Sequence, residues 1–133
     1  MAKFDGKKIL IVEDDNLLAE MLAKKFIGEN ALIGHASNGE DAISMLKLNK
    51  YDLILLDLLL PKVNGFEVLE AINLGESTKG TPVIILSNLG QKADVERGTK
   101  LGVKMFLVKA VLSLDEIVDA AEMVLNQGKS KTP

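Results

Sequence analysis

Six side chains stand where the sequence passes abruptly from apolar to polar. Glu13, Asp14 and Asp15 follow "ILIV", Asp57 closes "DLILLD", Ser87 closes "PVIILS" and Lys109 closes "KMFLVK". Asp57 is the sharpest case, with Leu53–Leu56 before it and Leu58–Leu60 after it. A carboxylate in hydrocarbon is costly unless it is paired, solvated or neutralised. Carboxylates brought together repel and raise one another's pKa, and a divalent cation relieves this. Mg²⁺ suits oxygen ligands and keeps several waters. Two carboxylates and a backbone carbonyl from the following turn would leave it room for an incoming phosphate. A lysine adds a mobile positive charge and a serine one hydrogen bond. Nucleophile, metal, cation and donor together match phosphoryl transfer to a carboxylate.

These groups matter jointly only if the chain delivers them to one place. Short apolar runs at 8–12, 31–36, 52–57, 82–87 and 104–109 read as strands, and their continuity argues burial on both faces. Helical spacing fills the intervals. The stripes are Leu17, Leu18, Met21, Leu22 and Phe26; then Ala42, Met45, Leu46 and Asn49; then Phe66, Leu69, Glu70 and Asn73, helped by Val68 and Ile72. Ala93, Arg97 and Leu101 mark a short polar fourth, and Ile117, Val118, Ala121, Val124 and Leu125 a fifth. Asn16, Asn38 or Ser37, Asn64, and Ser113 with Glu116 are the expected caps. Gly28, Gly75 and Gly102 are the expected stops, and Gly98 weakens the fourth helix.

Five β-α units in so short a chain cannot close an eight-stranded barrel. An α/β fold follows: an open, doubly wound, five-stranded parallel sheet with helices on both faces. Ligands of such sheets bind beyond the carboxyl ends of the strands. That edge collects Glu13, Asp14, Asp15, Asp57, Ser87, Asn88 and Lys109, whereas the second strand ends without charge near Ala36 and Ser37. Each residue alone has a plainer reading. Asp57 would be a strand-end acid paired with Lys109, Asp15 and Asn16 a helix cap, Ser87 a strand-end hydroxyl, and Lys109 a solvated lysine. His35 reads as structural or surface and Phe106 as core. Convergence of complementary groups on four strand ends favours the chemical reading.

The remaining composition narrows the field. The 133 residues fit one domain, here 1–128, followed by a frayed tail at 129–133. Without cysteine there is neither disulfide nor thiolate chemistry, and one histidine cannot build a histidine-rich metal site. A net charge of -3 with no basic block argues against direct nucleic-acid binding. Apolar runs are too short for a membrane span, and "MAKFDGKK" lacks a signal-peptide core, so a cytoplasmic protein is expected.

The segments "ILIVEDD" (9–15), "DLILLDLLLPKVNGFEVL" (52–69), "PVIILSN" (82–88) and "LGVKMFLVKA" (101–110) resemble, taken together, the receiver domain of two-component response regulators, of which the chemotaxis regulators are single-domain examples. The resemblance spans nearly the whole chain. It implies a flavodoxin-like (βα)5 fold with strand order 2-1-3-4-5. It also implies Mg²⁺-dependent transfer of a phosphoryl group from a histidine kinase or histidine phosphotransfer protein onto an aspartate. Carried over by position, Asp57 is the phospho-acceptor. Asp14 is a direct Mg²⁺ ligand, Glu13 acts on the ion through water, and Leu59 lends its backbone carbonyl. Ser87 is the switch hydroxyl, Lys109 contacts the acyl phosphate, and Phe106 is the aromatic switch. Pro61 fixes φ in the turn after the acceptor, and Gly65 tolerates unusual backbone angles there.

The resemblance further implies no turnover beyond the chain's own phosphorylation and dephosphorylation. Output would run to a protein partner through helix 4, strand 5 and helix 5, by a monomer or a phosphorylation-dependent dimer. With no room for an effector after Gln127, a stand-alone receiver is expected.

Four positions depart from or vary within the family pattern. Ala110 replaces the usual proline after the lysine; a cis bond there costs roughly 2.5–4 kcal/mol without proline, so a trans bond and a rearranged loop to Leu112 are expected. Asn88 replaces a small residue and would narrow access or add a donor. Leu59 and Leu89 are apolar where the family tunes hydrolysis, so slow self-dephosphorylation is expected.

Three rivals fare worse. A haloacid-dehalogenase-type phosphatase needs a second aspartate two residues after the first, where Leu59 stands. A flavodoxin-like cofactor binder needs a phosphate loop where "EDDN" would repel phosphate. A degenerate, unphosphorylated interaction module is the alternative, favoured only by Ala110 and Asn88.

Overall fold

The computed structural model describes residues 2–88 and 92–127; Leu89 and the tail at 129–133 lie outside them. Five strands and five helices alternate: β1 (Lys8–Val12), α1 (Asn16–Ile27), β2 (Leu32–Ala36), α2 (Gly39–Leu48), β3 (Leu53–Leu56), α3 (Gly65–Leu74), β4 (Val83–Ser87), α4 (Lys92–Lys100), β5 (Met105–Val108) and α5 (Leu114–Gln127). The sheet is parallel with order β2-β1-β3-β4-β5. β1, β3 and β4 are buried on both faces, apart from half-buried Lys8, so their apolar runs are unbroken. The edge strands differ: β2 buries only Ala36, and β5 is half-buried throughout. Continuous hydrophobicity thus overstates burial at the edges, where helices cover each strand incompletely.

Two cores flank the sheet. One, centred on Ile9, Ile11, Leu53, Leu55 and Ile84, packs against α1 and α5. The other, centred on Leu10, Val12, Ile54, Leu56 and Ile85, packs against α2 and α3. Alternate residues of one strand therefore enter opposite cores. Phe4, which sequence patterning leaves unassigned, is fully buried edge-to-face on Phe26 at 5.1 Å between ring centres.

Several expected helix faces shift. On α1 the inward residues are Ala19, Leu22 and Phe26, whereas Leu17 and Met21 are exposed. Asp15, not Asn16, caps this helix by accepting from the Leu18 amide. Asn38 caps α2, and Asn64 with Glu67 closes a capping box on α3. Ser113 and Glu116 do the same before α5. Glu70 and Asn73 face outward, and there they fasten α4. Glu70 lies 3.7 Å from Arg97, and the Asn73 amide donates to the Leu101 carbonyl at 2.7 Å. Arg97 also sits over the Phe66 ring at 4.1 Å.

Gly98 is the only buried residue of α4; a Cβ there would stand 3.0 Å from Ile85 Cδ1. Ala93 and Arg97 are exposed rather than inward. The helix is held by polar contacts and one close approach, not by an apolar stripe.

The loop after β3 also differs from expectation. The left-handed residue is Lys62, with φ 67°, directly after Pro61. Gly65 instead opens α3 under tight packing: a Cβ would lie 2.5 Å from both the Asp57 carbonyl oxygen and Leu58 Cα. Those are backbone atoms and cannot yield. Gly65→Ala is therefore expected to lower stability by about 1–3 kcal/mol, measured by urea unfolding.

Candidate functional site

Ladder bonds continue one residue beyond β1 and β3. The Glu13 amide donates to the Ala36 carbonyl and the Asp57 amide to the Val12 carbonyl, each at 3.0 Å. The first residues past two central strands are thus held as firmly as the strands. Their side chains are nearly dry, at 3% and 5% exposure. Lys109, just past β5, reaches between them: Nζ lies 2.5 Å from Glu13 Oε1 and 2.7 Å from Asp57 Oδ2. The other oxygens are also engaged. Glu13 Oε2 accepts from the Asp15 amide and Asp57 Oδ1 from the Leu59 amide, both at 3.0 Å.

His35 is missed as a site neighbour by sequence reasoning. Its Nε2 lies 2.8 Å from the Glu13 carbonyl oxygen; that oxygen only accepts, so Nε2 carries the proton. No local signal announces this, because it depends on the register Ile11↔His35 between β1 and β2.

Glu13, Asp14 and Asp57 each offer a carboxylate oxygen within 4.8 Å of the others, with Asp14 exposed. Three carboxylates and one ammonium leave two negative charges in excess. An all-oxygen, doubly negative cluster open on the Asp14 side fits a hydrated divalent cation such as Mg²⁺. Burial is the main reason the Glu13 carboxyl is pushed up; bonds from Lys109 and the Asp15 amide only partly oppose it. For Lys109 burial pulls downward, but hydrogen bonds to Asp57 and Glu13 outweigh it, and the ammonium is raised.

Ser87 is fully buried at the end of β4 and Phe106 is half-buried in β5, beside Ile85. Leu59 presents its amide to Asp57, and the residue as a whole is 55% exposed. The Lys109–Ala110 bond is trans, as expected. It opens a single 3-10 turn, Lys109–Val111. The Asn88 side chain meets the turn after β5: its Oδ1 accepts from the Ala110 amide at 2.9 Å.

Residues 9–122 match the family model described as response regulator receiver domain. The chain is 33% identical over 123 residues to the probable transcriptional regulatory protein SilR of Salmonella typhimurium, covering 92% of this chain and 53% of that protein. The chain spans about half the length of the curated relatives it matches. Among solved structures, a signal receiver domain from Vibrio parahaemolyticus superposes with TM-score 0.84 at 30% identity, covering 94% of each chain. The phosphorylated cyanobacterial phytochrome response regulator RcpA superposes with TM-score 0.79 at 26% identity, covering 96% of each.

Removal of the ammonium would leave two buried carboxylates facing each other. Lys109→Met is expected to cost about 3–5 kcal/mol near neutral pH. The raised Glu13 means that the fold favours its protonated form, so stability returns as pH falls through the folded value toward the ordinary 4.5. The wild-type Lys109 contribution has the opposite window: it is full below 10.5 and lost as pH rises through the raised value. Thermal melts of both proteins across pH, with and without Mg²⁺, check this; Mg²⁺ should restore part of the loss at neutral pH.

Proposed function

Because the chain belongs to the response regulator receiver family of two-component signalling, we propose that Asp57 accepts a phosphoryl group and that its acylation switches a protein-interaction face. The Lys109 ammonium shared by two buried carboxylates is the observation that carries this reading. It places an ammonium against the acceptor and a second buried acid, with an exposed acid alongside. Asp57 Oδ2 attacks phosphorus, the bond to the donor's leaving group breaks with its electron pair, and an acyl phosphate forms. Asp14, Glu13 and Asp57, with the Leu59 carbonyl, would hold Mg²⁺, which supplies charge stabilisation for the transferring group. Lys109 moves from the carboxylates to a phosphoryl oxygen. The Leu59 amide keeps Asp57 oriented through Oδ1, and Ser87 donates to a second phosphoryl oxygen.

The donor is a histidine kinase or a histidine phosphotransfer protein, and the reading places the chain in the cytoplasm with such donors. It turns over no other substrate. Output follows from a shift of the β4–α4 connection and of Phe106, biasing an existing equilibrium. The α4–β5–α5 face meets a downstream protein. The light fastening of α4 by Arg97, Asn73 and Gly98 supports its role as the element that moves. Phe106 lacks a hydroxyl, so its signal is one of packing.

Incubation with acetyl phosphate and Mg²⁺ should add one phosphoryl group by intact mass. The gain should vanish in Asp57→Asn and without Mg²⁺. A folded wild-type protein that gains nothing overturns the reading.

Leu59, exposed at the mouth, offers no polar group to orient an attacking water. The phosphoryl half-life is therefore long, and Leu59→Asn should shorten it on the order of tenfold, below the usual contribution of a positioned acid-base group. Loss of label after donor removal measures this.

A further inference from the structure

The two departures at 88 and 110 meet in space. β4 and β5 run in parallel, with Ser87 beside Val108, and the Lys104 amide donates to the Val83 carbonyl at 2.8 Å. Alternate amides of a parallel strand point to the same neighbour. Counting by twos from Lys104 brings the Ala110 amide to the β4 side, just beyond the paired strands. The Asn88 side chain meets it there, with Oδ1 at 2.9 Å. The oxygen assignment is unambiguous, because the Ala110 amide only donates. Proline at 110 would have no proton to give.

We propose that Asn88 is a positioning residue that, through the Ala110 amide, ties the Ser87 end of β4 to the Lys109 end of β5, so that the two donors of the phosphoryl site keep their spacing. Asn88 directly follows Ser87, and Ala110 directly follows Lys109. The bond therefore joins the backbones next to both groups at the point where the ladder ceases. It works where proline would otherwise stiffen the turn, and it is available only because residue 110 is not proline. The 3-10 turn it anchors begins at Lys109, and the Leu112 amide closes that turn on the Lys109 carbonyl at 3.4 Å. The turn has no side-chain cap of its own, and the Asn88 contact ties it to the neighbouring strand.

The inference rests on the phospho-accepting reading, and one part of its test is independent of it. Amide exchange by NMR reads the bond without phosphorylation. In Asn88→Ala the Ala110 amide should exchange about five- to tenfold faster, the range for losing one neutral hydrogen bond. Asn88→Asp, which keeps the acceptor, should retain protection. Labelling by acetyl phosphate with Mg²⁺ reads the positioning. Asn88→Ala and Ala110→Pro should each lower the maximal labelling rate severalfold, at a temperature where both remain fully folded and with a melting temperature lowered by only several degrees. The double variant should be no slower than the slower single one, whereas Ala110→Gly, which keeps the N–H, should label like wild type.

Unchanged Ala110 exchange in Asn88→Ala, or multiplying rate losses in the double variant, overturns the inference while leaving the phospho-acceptor intact. Wild type that never labels, with Ala110 still losing protection in Asn88→Ala, overturns both the phospho-accepting reading and the positioning role and leaves the bond as a structural tie alone.

Discussion

One ammonium between two buried carboxylates organises this molecule. Lys109 touches Glu13 at 2.5 Å and Asp57 at 2.7 Å, and the three side chains are at most 15% exposed. A single missing partner would strand a charge in a poorly hydrated place. The contact demands that the ends of β1, β3 and β5 lie together. β4 separates β3 from β5, so the lysine must cross two strand spacings, roughly 10 Å. Its long stem spans much of that gap and the acid side chains the rest, and β4, between them, ends in Ser87. Strand order, the small residue at 87 and the length of the lysine side chain are facets of one geometric requirement.

The arrangement is also unfinished in a useful way. Glu13, Asp14 and Asp57 outweigh the single ammonium by two charges, and Asp14 faces solvent. A site balanced internally would be a structural ion pair. This one remains open to a divalent cation, and a phosphoryl group could draw the ammonium away. Around it the scaffold is graded in firmness. Central strands and α5 are buried along whole faces, whereas α4 buries a single glycine and leans on a cation–π contact and two polar links. Firm acceptor and loosely held helix are adjacent through β4 and β5, and a local chemical event can reach a surface by that route.

Much of this was legible in advance. Glu13, Asp14, Asp57 and Lys109 stand where apolar runs stop, and a parallel sheet collects its strand ends on one edge. Caps at Asn38, Asn64 and Ser113 follow from local hydrogen-bond chemistry, so they hold whatever packs around them. Faces of α1, α3 and α4 were less legible. Leu17 and Met21 match the helical period as well as the buried residues do, and only the placement of the neighbouring strand selects among them. Glu70, Asn73 and Arg97 sit at stripe spacing for a different reason, since they join helices from outside. Gly65 reads as a flexible residue until Asp57's backbone is seen 2.5 Å from its missing Cβ.

The sequence by itself determined the alternation of strands and helices, the caps of α2, α3 and α5, and which ionisable groups end the strands. Those features depend on periodicity and on neighbours within a few residues. Tertiary structure alone decided that Lys109 bridges both acids, that His35 braces the Glu13 carbonyl, and that Asn88 answers the Ala110 amide. The partners in these contacts are separated by between 22 and 96 residues of chain. Their meeting is fixed by strand order and register, and no local pattern encodes either.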